Sequence, residues 1–290
     1  MDMELIKLSV QLSSGIKKHF MKKSRLVKYM VLSTFFFSAC NGQTSHKQPP
    51  NGYDVRLFEK TPYYDLAKAI KNEDTNSIKR YILSDKNAIN YQEPVYHKGF
   101  LSFAVITDKL LSTKQLLELG ANPNLRSSKT GKSAFDDACL HYEPLQNGDS
   151  ILSLLIRYGA EVNNMKIDTV VNKYGRKIVT YSTPLVSVCF YGNLFGVKLL
   201  VDNGADITIY KGNEGSLITY TILGKNLDMV KYFLIEKKIP VPEYCVIRQE
   251  GNPSERKMTL LDLLNENVEM YSPEQKRLRE EIIEFLKDKR

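Results

Sequence analysis

The chain has 290 residues, 42% of them hydrophobic and 26% charged, a globular composition that excludes wholesale disorder. Its net charge of +8 suggests a nucleic-acid binder at first, but residues 1–39 carry +5 of it, with seven basic residues against two acidic ones. The remaining +3 gives the rest of the chain no strong reason to bind polyanions, so no nucleic-acid partner is expected. Four cysteines in this length do not make a disulfide scaffold.

Residues 1–39 have the pattern of a secretory signal. A basic stretch from Met21 to Lys28 precedes an apolar run from Tyr29 to Phe37, and small residues follow. The apolar run is shorter than the roughly 20 residues that span a bilayer. The pattern fits a start at Met21 better than one at Met1.

The residues that end this signal, Phe37-Ser38-Ala39-Cys40, resemble the lipobox of bacterial lipoproteins. In that family the signal is cut before the cysteine, so the resemblance implies that Cys40 becomes a lipidated N-terminus. Asn41 is not the Asp that retains family members at the inner membrane, which implies an outer-membrane location facing the periplasm. The alternative is a plain signal peptide with an incidental cysteine. Residues 40–62, which include Pro49-Pro50, are predicted to be the lipid-anchored tether.

The rest of the chain is built from repeats. Each repeat has apolar residues at helical spacing, with a residue that can cap a helix before them or a glycine after them. Thr183 and Pro184 suit a helix start, and Gly120, Gly159 and Gly204 suit helix ends that need a left-handed residue. The segments that align are Gly99–Asn124, Ser133–Asn163, Thr183–Thr208 and Ser216–Pro242, with divergent units at Asp65–Asn90 and from Thr259 onward.

These segments resemble ankyrin repeats, with Thr183-Pro184-Leu185 and Gly204-Ala205-Asp206 the closest copy of the family pattern. The resemblance implies an all-α fold, an ankyrin-repeat solenoid of stacked helix pairs with β-hairpin or turn fingers. It covers residues 63–290 in about six units, of which the terminal ones are divergent. Glu274–Arg290 is predicted to be an amphipathic helix that caps the stack with a polar outer face.

Two connections between units are longer than the family turn. Asn164–Ser182 and Pro242–Lys257 both place β-forming residues around a glycine-containing centre, which predicts a projecting hairpin in each. Insertions in solenoids map to one face, which is often the binding face.

Catalytic chemistry has little support in this sequence. His97 and His141 lie in different units, with no second metal ligand three or four residues away. Cys139 and Cys189 occupy the same inward position in successive units, whose stacking distance exceeds that of a disulfide, so buried free thiols are predicted. We therefore expect no enzyme activity, cofactor, metal or small-molecule substrate. The alternative function is enzymatic, a metal-dependent hydrolase built on the two predicted hairpin fingers.

The predicted function is non-catalytic binding of a protein partner in the bacterial cell envelope. The family's concave surface is lined by first helices and turn tips, and aromatic side chains anchor protein interfaces. An inhibitor or immunity-type role is one specific form of this function, and a structural envelope scaffold is the alternative. The residues predicted to contact the partner are Phe103, Tyr174, Arg176, Phe190, Tyr191, Tyr210 and Tyr220.

Overall fold

Helix pairs follow one another along the chain in the computed structural model, which describes residues 51–141, 146–164, 166–171, 177–208, 216–249, 255–266 and 268–288. We number the pairs 1 to 6. They are α1 Tyr64–Lys71 and α2 Thr75–Ser84, α3 Phe100–Ile106 and α4 Leu110–Glu118, α5 Ala134–Leu140 and α6 Gly148–Arg157, α7 Pro184–Tyr191 and α8 Leu194–Asp202, α9 Leu217–Leu223 and α10 Leu227–Lys231, and α11 Leu260–Leu264 and α12 Pro273–Asp288.

The pairs form two parallel rows of helices. The first helices pack in the order α1, α3, α5, α7, α9 and α11, and the second helices pack in the order α2, α4, α6, α8, α10 and α12. One continuous cluster of buried apolar side chains runs between the rows. These rows and their shared core confirm the predicted all-α, ankyrin-like solenoid. The pairs need to stack because no pair could bury its apolar faces alone.

The helix ends follow from residues that the sequence makes visible. Ser133 caps α5 with a reciprocal Asp136 contact, and Thr183 accepts a hydrogen bond from the amide of Val186 in α7. Gly120, Gly159 and Gly204 end the second helices of pairs 2 to 4 with φ of 95°, 87° and 86°. Only glycine reaches this conformation without strain, so these three positions fix where each unit turns.

Asparagine side chains join successive units at these same turns. The Nδ2 of Asn124 donates to the carbonyl of Gly159 at 2.8 Å, and its Oδ1 accepts from the amide of Glu161 at 2.9 Å. Asn163 makes the same two bonds to Gly204 and Asp206, at 2.8 and 2.7 Å. Each asparagine therefore ties the end of its own unit to the end of the next.

Both predicted hairpins are present in the backbone. Strands β1 Lys166–Val171 and β2 Lys177–Ser182 pair antiparallel between pairs 3 and 4. Strands β3 Val246–Gln249 and β4 Glu255–Met258 pair in the same way between pairs 5 and 6. The base of the second hairpin belongs to the core, since Cys245, Val246 and Met258 are buried.

The amphipathic helix predicted at the end of the chain is present as α12. In α12 the side chain of Ile282 is buried, and Leu278, Phe285 and Leu286 are partly buried against the core. The charged residues of α12 other than Arg279 are exposed and form a polar face.

Candidate binding surface

The chain itself covers part of the first-helix row. Residues 51–58, called here the N-terminal segment, include a short 3₁₀ helix at Val55–Phe58, where the side chain of Asp54 accepts a hydrogen bond from the amide of Arg56. The Phe58 ring is fully buried, stacked on Phe100 of α3 with centroids 4.6 Å apart and edge-on to Phe103 at 5.4 Å. The packed body therefore includes residues that sequence analysis assigned to the tether.

This contact overturns the expectation that Phe103 is exposed. Phe103 retains only 1% of its accessible surface. It does lie on the first-helix row, as predicted, but all seven residues of α3 are buried and the Phe58 ring packs edge-on against Phe103. A partner cannot reach Phe103 while the N-terminal segment is in place.

The N-terminal segment reaches as far as pair 3. The hydroxyl of Tyr53 lies 3.2 Å from Nδ1 of His141, and the two rings meet edge to face with centroids 5.7 Å apart. Burial lowers the pKa of His141 below its ordinary value, an effect that the nearby carboxylate of Asp137 opposes. His141 therefore contacts the N-terminal segment through Tyr53.

Tyr220 is a second predicted contact residue that the structure buries. It is 7% exposed, and α9 is buried continuously from Leu217 to Ile222. The cause is that α9 packs between α7 and α11 in the first-helix row. The prediction of an exposed Tyr220 is therefore wrong.

Phe190 and Tyr191 are brought together at the end of α7 and are half-buried. Their rings meet edge to face with centroids 4.7 Å apart, and burial raises the pKa of Tyr191. Sequence analysis named both residues. Tyr174, Arg176, Tyr210 and the lipidation candidate Cys40 lie outside the described residues.

The backbone beneath this aromatic pair is held by the next unit. The side-chain amide of Asn226 donates to the carbonyl of Cys189 at 3.1 Å. A Cβ atom placed on Gly224 would lie 2.8 Å from the carbonyl oxygen of Phe190, so only glycine allows pair 5 to approach this closely. Phe190 and Tyr191 are therefore displayed from a fixed helix end.

A buried polar network that sequence analysis missed orders the turns ahead of α3 and α5. The carboxylate of Glu93, which is 1% exposed, accepts hydrogen bonds from the amides of Val95, Tyr96 and Lys98. The Lys98 ammonium then pairs with the buried carboxylate of Asp137 at 2.9 Å. The sequence around Glu93 and Lys98 gave no sign that these charged residues would be buried.

The thiols are structural. Cys139, Cys189 and Cys245 are free and buried, as predicted for the first two, and desolvation raises the pKa of the Cys245 thiol to about 11. High pKa values keep thiols protonated and unreactive. Among the described residues no group of three or more His, Cys, Asp or Glu side chains could hold a metal ion. No helix in the described part of the chain combines the length and apolarity needed to cross a membrane.

Comparison with known proteins supports the resemblance drawn from the repeats. No protein-family model matches the chain. An ankyrin repeat protein of Acanthamoeba polyphaga mimivirus is 29% identical over 179 residues, which cover 57% of this chain and 29% of the mimivirus protein. The chain thus spans less than a third of the relative that it matches.

Proposed function

We propose that this chain is a non-catalytic protein-binding module. The observation that carries the proposal is the half-buried aromatic pair Phe190 and Tyr191, held at the end of a first helix by contacts from the next unit. Aromatic anchors of this kind dominate the energetics of protein interfaces. A surface that is already ordered loses little conformational entropy when a partner docks.

The N-terminal segment covers part of the first-helix row and so limits where a partner can bind. Phe58 and Tyr53 cover the first helices of pairs 2 and 3, whereas the α7 end of the row carries exposed aromatic area. We therefore place the centre of the binding surface at pair 4, with the connections that precede α7 and α9 beside it. Tyr174, Arg176 and Tyr210 belong to those connections in the sequence and extend the proposed surface.

The setting that we propose is the bacterial cell envelope. The basic and apolar leader and the lipobox-like sequence ending at Cys40 support a lipid anchor on the outer membrane, facing the periplasm. Within the envelope, an inhibitor or immunity-type protein that neutralises a toxin or enzyme is the specific role proposed. A structural scaffold is the second candidate, favoured by the same repeats, and it differs in what it binds.

Crosslinking capture from intact envelopes tests the binding surface. The full chain carrying Phe190→Ala and Tyr191→Ala should lose the captured partner while its helical circular dichroism is unchanged. Phe195→Ala is the matched control, because Phe195 is 51% exposed and lies on the second-helix row of the same pair. Equal capture by the aromatic double variant and by Phe195→Ala would reject this surface.

Fractionation and metal analysis test the remaining parts of the proposal. Cys40→Ala should move the protein from the membrane fraction to the soluble periplasmic fraction, and retention in the membrane would reject the lipid anchor. Stoichiometric zinc in the purified full chain would reject non-catalytic binding in favour of the metal-dependent hydrolase.

A further inference from the structure

The N-terminal segment is attached to the stack firmly at one end and weakly at the other. At the firm end Leu57 and Phe58 are 4% and 0% exposed, and Val55 before them is partly buried against the core. At the other end Tyr53 is 49% exposed. Its hydroxyl lies 3.2 Å from Nδ1 of His141, and the two rings meet edge to face. The weak end is thus held by one hydrogen bond and one ring contact.

Residues 51–56, called here the strap, hold their own shape. The carbonyl of Asn51 accepts a hydrogen bond from the amide of Asp54 at 3.0 Å. The Asp54 carboxylate accepts from the amide and from Nε of Arg56, at 2.9 and 2.8 Å. Within the described part of the chain, the bond between Tyr53 and His141 is the one hydrogen bond that joins the strap to the helix pairs. The strap can therefore leave the surface by a local opening that keeps the stack folded.

The weak end of the strap lies beside the proposed binding surface. His141 follows the capping residue Ser133 by eight positions, and Tyr191 follows the capping residue Thr183 by eight. His141 and Tyr191 therefore occupy the same place in successive units. Because α5 packs directly against α7, and packed helices lie about 8–10 Å apart, the surface around Tyr191 continues onto His141. Tyr53 covers that continuation.

We infer that the strap is a displaceable cover, and that an aromatic side chain of the partner takes the place of Tyr53 on His141. This inference rests on the proposed function, because it concerns access to the same binding surface. The strap itself shows which side chain fits there, a phenol ring edge to face with the imidazole and a hydroxyl at hydrogen-bond distance from Nδ1. A second copy of this chain is the poorer occupant, because its own Tyr53 would first have to leave its own His141.

The closed strap lowers the apparent affinity of the module for its partner. A partner that needs the open form binds more weakly in proportion to the fraction of molecules in which the strap is open. Loss of one exposed hydrogen bond shifts such an equilibrium about two- to tenfold. Tyr53→Ala should therefore raise capture of the partner by a similar factor when the partner is limiting. Tyr53→Phe keeps the ring and removes the hydroxyl, so it should raise capture less.

A tyrosine analogue tests the vacated position on the full chain. The probe is N-acetyl-tyrosine amide, and its control is N-acetyl-alanine amide. In Tyr53→Ala the tyrosine probe should shift the NMR signals of the His141 ring at least about threefold further than in the unmodified chain, where Tyr53 competes for the position. The alanine probe should leave these signals unchanged in both chains.

His141→Ala separates displacement from a purely structural role. Like Tyr53→Ala, this change opens the strap, but it also removes the position on which the partner's aromatic side chain would pack. Capture should therefore rise in Tyr53→Ala, and the rise should disappear when His141→Ala is added. A contact that only stabilised the fold would change capture in the same direction in both single variants. Urea unfolding of each variant shows whether the stack remains folded.

Three outcomes would overturn the inference. They are a probe-induced shift of His141 that is no larger in Tyr53→Ala than in the unmodified chain, equal capture of the partner by these two chains, and dimers of the purified chain that Tyr53→Ala abolishes. The last outcome would assign the position to a second copy.

The variant with Phe190→Ala and Tyr191→Ala separates failure of this inference from failure of the proposed function. If this double variant loses the partner while Tyr53→Ala leaves capture unchanged, the strap inference fails and the binding module remains. If the double variant captures the partner as well as the unmodified chain does, the proposed binding surface fails first.

Discussion

Replacement of Phe58 by Ala tests whether the N-terminal segment is an integral part of the stack. Phe58 is fully buried, with its ring 4.6 Å from Phe100 and 5.4 Å from Phe103. Truncation of a buried phenylalanine costs about 3–5 kcal/mol, to which the loss of two aromatic contacts contributes.

Urea unfolding of the full chain, followed by circular dichroism, measures this cost. The midpoint of the transition that includes pairs 1 and 2 should fall, since nearest-neighbour contacts dominate the stability of a repeat array. Tyr53→Ala is the control, because Tyr53 is 49% exposed and its loss should cost less than about 1 kcal/mol. A loss below about 1 kcal/mol for Phe58→Ala would refute the packing of this segment against α3.

Three further changes probe contacts within the stack. Asn163→Ala removes two hydrogen bonds to the next unit and should cost about 1 kcal/mol in urea unfolding, and an unchanged midpoint would contradict their role. Lys98→Met leaves the buried Asp137 carboxylate unpaired and should cost about 3–5 kcal/mol, whereas adding Asp137→Ser, the residue found at Ser187 in α7, should recover most of it. Burial lowers the pKa of His141 below its ordinary 6.5, so the unfolded chain binds this proton more tightly and stability should fall as pH drops through 6.5. The stability lost between pH 7.5 and pH 5 should be smaller in His141→Gln, and equal losses would contradict the burial of this imidazole.

The architecture was predictable because its signals are local. Gly120, Gly159 and Gly204 mark the ends of second helices, and Thr183 marks the start of a first helix, in both sequence and structure. A capping hydroxyl or a left-handed glycine acts within one helical turn, so its effect is visible in a few residues. The hairpin β1–β2 was predictable for the same reason.

Less of the binding surface could be predicted, because exposure depends on distant parts of the chain. The helical register correctly placed Phe103 on the first-helix row, but Phe58 covers it from 45 positions earlier in the sequence. Because residues 41–51 are polar, the tether was predicted to continue through residue 62, although this range includes the apolar pair Leu57 and Phe58. Phe190 and Tyr191 were predicted to be accessible because both lie at the end of the predicted first helix of pair 4, and the structure leaves both half-buried.

Residues other than glycine that adopt the left-handed conformation also could not be predicted from the sequence. Asp108 and Lys225 adopt φ of 58° and 61° between the first and second helices of pairs 2 and 5. At both positions the next residue donates its amide back into the first helix, from Lys109 to Ala104 and from Asn226 to Thr221. These hydrogen bonds accompany the left-handed turn at residues other than glycine, so no glycine marked it in the sequence.

Site-specific photocrosslinking at the end of α7 tests the central claim most directly. A photoreactive phenylalanine analogue in place of Tyr191 should form a covalent adduct with a protein partner in intact envelopes. The same analogue in place of Phe195, which is exposed on the second-helix row, should form none. Adducts at position 195 but not at 191, or no adduct at either position, would contradict a binding surface centred on the first helix of pair 4.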